Sequence, residues 1–412
     1  MGKQFENGDF RFVLGIEDTF VPQARFGERP LDEYELTQHY AQWQSDLELA
    51  RSVGASAIRY GLPWYRLNPE PGVFAWNWAD RVVDKLVELG LEVIVDLVHY
   101  GTPTWMDNSF LNRDYSRRVA EYAYALAERY GDRITAWTPL NEPQVNAIYC
   151  GETGKWPPYF RGDDGYLQVI AALCQGIVLT QQAVLAARPR NSSFVHVEAM
   201  FRYAKPNDYR SDRAALLDLR RFLALDLVTG RVGDEYELLP YLQQYGMRDT
   251  DLEWFQGHNV QPDVIGINHY PGWGTEIYSQ ENGVETCNVR NDWTDGLEDL
   301  VETFAARYEA PILLSETSVV GTPQDRVSWL EASVDSLVRM RQRGVSVIGY
   351  TWWPLFDLVE WDYREALTPV DRHLAAMGLY SLVPDDVGGF ERRATMAADR
   401  YRNLASTHGP RR

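Results

Sequence analysis

Cysteine is scarce: the 412-residue chain has three, Cys150, Cys174 and Cys287. An odd count with no Cys-x-x-Cys spacing argues against a disulfide framework and a cysteine zinc site, and fits a reducing compartment. Basic residues are in deficit, 40 Lys and Arg against 59 Asp and Glu, for a formal net charge of −19. A field of that sign repels phosphate backbones and anionic headgroups, which argues against nucleic-acid and membrane-surface partners. Long apolar runs are missing as well. No eighteen consecutive apolar residues occur, and the opening MGKQFENGDFRF carries no signal core, so the expectation is a cytoplasmic protein with no leader and no span. No Pro/Ser-rich linker, charge block or low-complexity stretch divides residues 1–412, which predicts one domain with a flexible tail at about 406–412.

What the chain has in excess is aromatic side chains, 14 Trp and 24 Tyr. Flat apolar rings with polar edges suit the CH faces of sugars, and serve equally well in a core. Short β-branched runs alternate with segments of helical period. Candidate strands fall at 11–16, 56–60, 92–98, 134–140, 194–199, 262–269, 311–315 and 345–352, and candidate helices at 37–53, 79–89, 114–130, 165–187, 212–227, 295–308, 326–343 and 393–405. Eight strand–helix pairs with strands buried on both faces predict an α/β fold, a closed (β/α)8 TIM barrel. The stretches after the fourth, sixth and eighth strands, roughly 143–163, 270–294 and 353–392, are long, and in such a barrel the segments that follow strands build the active site.

Polar or ionisable residues stand at the ends of strand after strand: Arg59, His99, Asn141 with Glu142, Tyr270, Glu316, and Trp353 just past the eighth. Two of them are carboxylic acids, Glu142 after the fourth strand and Glu316 after the seventh. Such a pair is what glycoside cleavage needs. One acid protonates the departing oxygen, the other meets the oxocarbenium-like carbon, and a gap of ~5–5.5 Å gives net retention.

The run WTPLNEP at 137–143 resembles the acid/base motif of glycoside hydrolase family 1, the β-glucosidase-like retaining (β/α)8 glycosidases, and LLSET at 312–316 is similar to the stretch that carries that family's nucleophile. WPLFDLVEW at 353–361, VHYGTPTWM at 98–106, INHY at 267–270 and IRYGLPWYRLNPEPGVF at 58–74 resemble its other strand-end signatures. By that resemblance Glu142 is the general acid/base and Glu316 the nucleophile. Arg59 is the cation beside the nucleophile, Tyr270 its hydroxyl donor, and Asn141 the donor to the sugar 2-hydroxyl. His99 binds the 3-hydroxyl, Trp353 forms a platform under the reacting ring, and Glu360 and Trp361 hold the hydroxyls far from the anomeric carbon.

The chain also departs from the family. GIEDTFVPQ at 15–23 puts Pro22 at about the place of a sugar-binding Gln, leaving Glu17 or its neighbour Asp18 to supply that contact. Thr317 and Ser318 follow the nucleophile where Asn-Gly is usual, and Pro139 stands where Thr is common. The resemblance therefore implies a divergent retaining β-glycosidase acting on a carbohydrate or glycoside, with neither metal nor organic cofactor required. His196 and Glu198 are read as no metal site, and Asp357 as a brace for its loop. The alternatives are a transglycosidase using the same residues and a sugar-binding barrel that has lost the reaction. Glycone, aglycone and oligomeric state are not legible at this level.

Overall fold

The computed structural model describes residues 8–188, 190–204, 209–386 and 388–410. Eight parallel strands close into a barrel: β1 (Arg11–Gly15), β2 (Ala57–Gly61), β3 (Glu92–Asp96), β4 (Ala136–Thr138), β5 (Ser193–Ala199), β6 (Val264–Asn268), β7 (Ile312–Thr317) and β8 (Val347–Trp352). They follow one another around the ring in chain order, and β8 returns to pair with β1. Each lies within a few residues of an expected strand. Every one of these residues except Glu92 is buried, because the strands serve two cores at once. Val13, Ala57, Ile94, Ala136, Val195, Val197, Val264, Leu313 and Ile348, from all eight strands, fill the interior with small or branched side chains. Their outward neighbours join the larger core beneath the helices.

The outer layer contains α1 (His39–Ser52), α2 (Asn77–Glu88), α3 (Tyr115–Tyr130), α4 (Gly162–Ala187), α5 (Asp212–Arg220), α6 (Leu223–Val228), α7 (Leu239–Gln244), α8 (Asp249–His258), α9 (Trp293–Tyr308), α10 (Pro323–Gln342) and α11 (Met396–His408). Helix α10 shows how the sequence sets its start. Thr322 caps the Asp325 N–H, the Asp325 carboxylate accepts from the Thr322 N–H at 2.9 Å, and Pro323 occupies the first turn where no N–H is needed. Helix α4 is long and apolar enough to cross a membrane. Here its apolar residues, Leu167, Ile170, Leu173 and Ile177 among them, are buried in the core, with α3 as the main neighbour.

Four expectations change in detail. The single helix over 212–227 is two, because a tight bond from Phe222 N–H to the Leu219 carbonyl ends α5. Helices α7 and α8 follow that pair before β6, in a stretch where no helix was expected. The 270–294 loop holds an antiparallel hairpin, Thr275–Glu281 with Val284–Arg290, turned at Asn282 and Gly283, both with positive φ. The last helix starts at Met396, since Phe390–Ala394 pairs with Tyr380–Pro384, and it runs through His408. Residues 406–408 are thus helical, not a loose tail; residues 411 and 412 lie outside the described part. All three cysteines are free, Cys150 and Cys174 buried and Cys287 exposed.

At the barrel mouth the Trp353 ring lies on the backbone of Gly15, so closely that a Cβ there would fall 1.8 and 2.0 Å from two ring carbons. Only glycine leaves that space. Gly15→Ala is expected to cost about 1–3 kcal/mol of stability, the usual cost of overfilling a packed site. A urea unfolding midpoint equal to that of the unaltered protein would show that the ring yields freely.

Candidate active site

The mouth encloses a cavity of about 580 Å³ whose walls include Glu17, His99, Tyr100, Glu142, Asn268, Tyr270, Glu316, Glu360 and Trp361. Seven of the ten site residues expected from sequence line this space: Glu17, His99, Glu142, Tyr270, Glu316, Glu360 and Trp361. Arg59 and Asn141 stand behind the wall, hydrogen-bonded to residues that face it, while Trp353 takes a different place.

Glu316 is aimed by an irregularity in its own strand. Between Leu314 and Thr317, β7 carries one residue more than both neighbours: Leu314 and Glu316 oppose Ile267 and Asn268, and Leu314 and Thr317 oppose Tyr350 and Trp352. Such a bulge breaks the alternation of faces and turns a side chain toward the rim. The Glu316 carboxylate then meets the Arg59 guanidinium at Oε1 and accepts the Tyr270 hydroxyl at Oε2, 2.8 Å away.

Glu142 is held by a different device. It sits just beyond β4 in the left-handed region, φ 45° and ψ 66°, followed by a helical turn that opens with Pro143. A non-glycine residue in that conformation is strained, so its surroundings must impose it. Its N–H bonds the Val197 carbonyl at 3.1 Å, its carbonyl accepts from Asn146 N–H at 3.0 Å, and Asn146 Nδ2 spans the Asn141 and Glu142 carbonyls. The carboxyl group takes Asn268 Nδ2 at 2.7 Å on one oxygen and the Tyr100 hydroxyl on the other.

Arg59 is fully buried and anchors the floor. It pairs with Asp96 at 2.6 Å and with Glu316, and donates to Asn141 Oδ1 at 2.7 Å. These carboxylates hold it charged against the burial penalty. Because Arg59 fixes the amide oxygen of Asn141, the amide nitrogen faces His99 Nε2 at 2.9 Å. The other imidazole nitrogen lies 2.5 Å from Asp18 and 3.2 Å from Asp96.

Glu17 lines the cavity, as the departure near β1 led us to expect; its Oε2 takes the Trp353 indole N–H at 2.8 Å and its Oε1 the Thr19 hydroxyl at 2.5 Å. Asp18 turns away toward His99. Trp353 is fully buried rather than an open platform. His99 stacks on it with ring centres 5.5 Å apart and planes 8° apart, and the Arg59 guanidinium lies 4.7 Å from its ring centre. Its place is to brace Glu17 and His99. Glu360 is exposed at the rim, and Trp361 packs into an aromatic cluster with Tyr100, Tyr149 and Trp156. Asp357 accepts from the N–H groups of Met377, Gly378 and Leu382, which ties its loop together.

Sequence reasoning gave no role to Asp96, Tyr100 or Asn268. Asp96 had a signal, a charge closing the apolar run EVIVD, which has to be paired if buried. Tyr100 and Asn268 lay inside quoted motifs, but only the fold turns them toward Glu142. Glu17, Asp18 and His99 also bring three possible metal ligands within 4.8 Å. Yet His99 Nδ1 and Asp18 Oδ1 are 2.5 Å apart, a hydrogen-bond separation and shorter than the about 3 Å between ligands bound at ~2.0–2.2 Å around one ion. They form a buried ion pair.

Burial pushes the carboxyls of Glu142 and Glu316 upward, and the charge on Glu142 adds to the rise at Glu316. Two such acids facing one cavity hold a single proton over a range of pH. The Arg59 guanidinium beside Glu316 favours charge there and opposes the rise. Tyr270 stays protonated, because burial and the neighbouring carboxylates oppose its ionisation. At Glu142 burial is opposed by the Tyr100 and Asn268 hydrogen bonds. A donor to the charged form lowers a carboxyl pKa, so its removal raises it. In Tyr100→Phe the high-pH limb of a kcat/KM profile is therefore expected to move upward by about one unit, the scale of one charge-assisted hydrogen bond. A limb that stays in place or moves down would deny Tyr100 this influence.

Comparison with known proteins agrees with this geometry. The sequence profile of Glycosyl hydrolase family 1 matches residues 16–212. A bifunctional β-D-glucosidase/β-D-fucosidase of Bifidobacterium breve is 26% identical over 393 residues, covering 81% of this chain and 83% of that protein. β-Glucosidase A of Thermotoga maritima is 24% identical over 362 residues, covering 78% of each chain. A solved structure of β-glucosidase from Thermotoga maritima, in complex with glucoimidazole, superposes with a TM-score of 0.81 over 98% of this chain and 99% of that one, at 19% identity. The chain is thus similar to glycosyl hydrolase family 1 in its first half by sequence profile, to β-glucosidases at 24–26% identity over about four fifths of its length, and to a β-glucosidase in its fold.

Proposed function

We propose that the chain hydrolyses β-linked glycosides of the β-glucosidase type by double displacement. One observation carries the reading: Glu142 and Glu316 face a single cavity, the first bonded to neutral donors and the second to a guanidinium. That asymmetry prepares an acid and a nucleophile. Glu316, steadied by Arg59 and Tyr270, attacks the anomeric carbon while Glu142 gives its proton to the leaving oxygen, and a glycosyl ester forms. Esterification removes the charge on Glu316, which had helped to keep the pair's proton in place, and the acidity of Glu142 rises. Glu142 is now a carboxylate and takes a proton from water, which opens the ester and releases a sugar of unchanged configuration.

The relatives called β-glucosidases support this chemistry for the present chain, as do the motif residues. The activity profile is expected to be bell-shaped in pH. The acidic limb is protonation of Glu316, and the basic limb is loss of the Glu142 proton; burial displaces both upward from the ordinary carboxylate range.

Glu316→Gly is expected to abolish turnover of aryl β-glucosides, and azide to restore it with inversion, as read from the anomeric signals of the product. Residual native-like turnover without azide would remove Glu316 from the nucleophile's place. Glu142→Ala is expected to spare the first step on substrates with good leaving groups and to slow the second. A uniform loss across leaving groups of different acidity would speak against its acid role.

A further inference from the structure

Apart from Glu142 and Glu316, the charged side chains of the cavity all come from one side of it, and the order of strands says which side faces which part of a substrate. Glu142 follows β4 and protonates the leaving oxygen, so the leaving group lies over the walls next to it, supplied by the segments after β4, β5 and β6. The sugar lies on the other side, over β1, β3 and the segment after β8. That side carries Glu17, His99, Glu360 and Asp362, together with the apolar Leu358, Trp361, Ala375 and Met377. The leaving-group side carries Val145 and Tyr149 after β4, Met200 and Phe201 after β5, and Trp273 after β6.

Those five side chains offer two polar atoms, the Tyr149 hydroxyl and the Trp273 indole N–H, and no charge. A second sugar ring would have to leave most of its hydroxyls without partners against Val145, Met200 and Phe201, at a cost for each one desolvated. A flat or chain-like hydrocarbon loses nothing there. Trp273 is half exposed at the lip, with its ring centre 5.4 Å from that of Tyr270, so an aromatic face stands ready beside the residue that touches Glu316. The cavity is also of the size that encloses a whole drug-sized ligand, with room beyond the sugar for a substantial leaving group.

We propose that the preferred substrates are β-glycosides of an apolar alcohol, aryl or long-chain alkyl, bound against Val145, Tyr149, Met200, Phe201 and Trp273, and not oligosaccharides. The inference rests on the glycosidase reading and names the substrate class of that same site.

The test compares methyl, butyl, hexyl and octyl β-glucosides and β-galactosides with cellobiose and lactose. Value is expected to accumulate along the chain: kcat/KM rises by up to about fourfold per methylene, the worth of burying one CH2, and the octyl glycoside exceeds the matching disaccharide. In Trp273→Ala the octyl-to-methyl ratio is expected to fall by about tenfold or more, the scale of losing one aromatic wall. A ratio within one variant is independent of how much of the preparation is folded. A flat alkyl series, or a disaccharide that outperforms octyl glycoside, overturns the inference and leaves the hydrolase reading standing. An octyl-to-methyl ratio that Trp273→Ala leaves intact also overturns it. Absence of turnover on every glycoside, activated aryl glycosides included, overturns the reading beneath it, and the inference falls with it.

Discussion

A guanidinium with no exposure to water, at the bottom of the mouth, governs the rest of this site. Arg59 is affordable in the barrel only because Asp96 and Glu316 neutralise it and Asn141 takes a further N–H. Each partner is then committed. Glu316 is drawn toward its charged state despite burial, and Asn141 is oriented so that its nitrogen faces His99. Asp96 is shared between Arg59 and His99, and the Asp18–His99 pair completes the chain of contacts back to β1. Substituting any member leaves a buried charge or donor without its partner, which is why the strand ends have to be read together.

The strands were legible because burial on both faces writes them as continuous apolar runs, and the meeting of Glu142 and Glu316 in one cavity because acids that follow such runs have to lie at one end of the barrel. The hairpin at 275–290 was legible in principle, since Asn282-Gly283 between alternating residues is a turn signal, but the stretch read as an undivided loop. Other features have no sequence signature. The bulge that turns Glu316 depends on how many residues β6 and β8 place opposite β7. The left-handed backbone at Glu142 is imposed by Val197 and Asn146, which are remote or irregularly spaced. Tyr100 shows the same limit: its φ of 61° and its neighbours His99, Trp156 and Trp361 bring its hydroxyl to Glu142, and spacing alone does not predict that.

Trp353 is the clearest case of a residue whose identity was readable and whose use was not. A tryptophan at the end of an eighth strand fits a sugar platform by its chemistry. Gly15 lets it sink to the backbone of β1, His99 covers it, and Arg59 lies close to the ring. Its indole N–H is spent on Glu17. The ring thereby becomes the link between β1, β3 and β8, and the surface presented to a sugar is made by the groups it positions.

That link bears on the missing glutamine near β1. An amide both donates and accepts, so it can serve two sugar hydroxyls in either sense. Glu17 stands on the cavity wall in this chain with its oxygens accepting from Trp353 and Thr19, and oxygens held as acceptors in this way offer further acceptor capacity. A hydroxyl that meets Glu17 has to donate, and the donor that would answer its lone pairs has to come from elsewhere on the wall. His99 Nε2 does not supply it while Asn141 donates to that nitrogen. The change from amide to acid thus narrows the orientations a sugar can adopt here, through the direction of its hydrogen bonds and without altering a reacting atom.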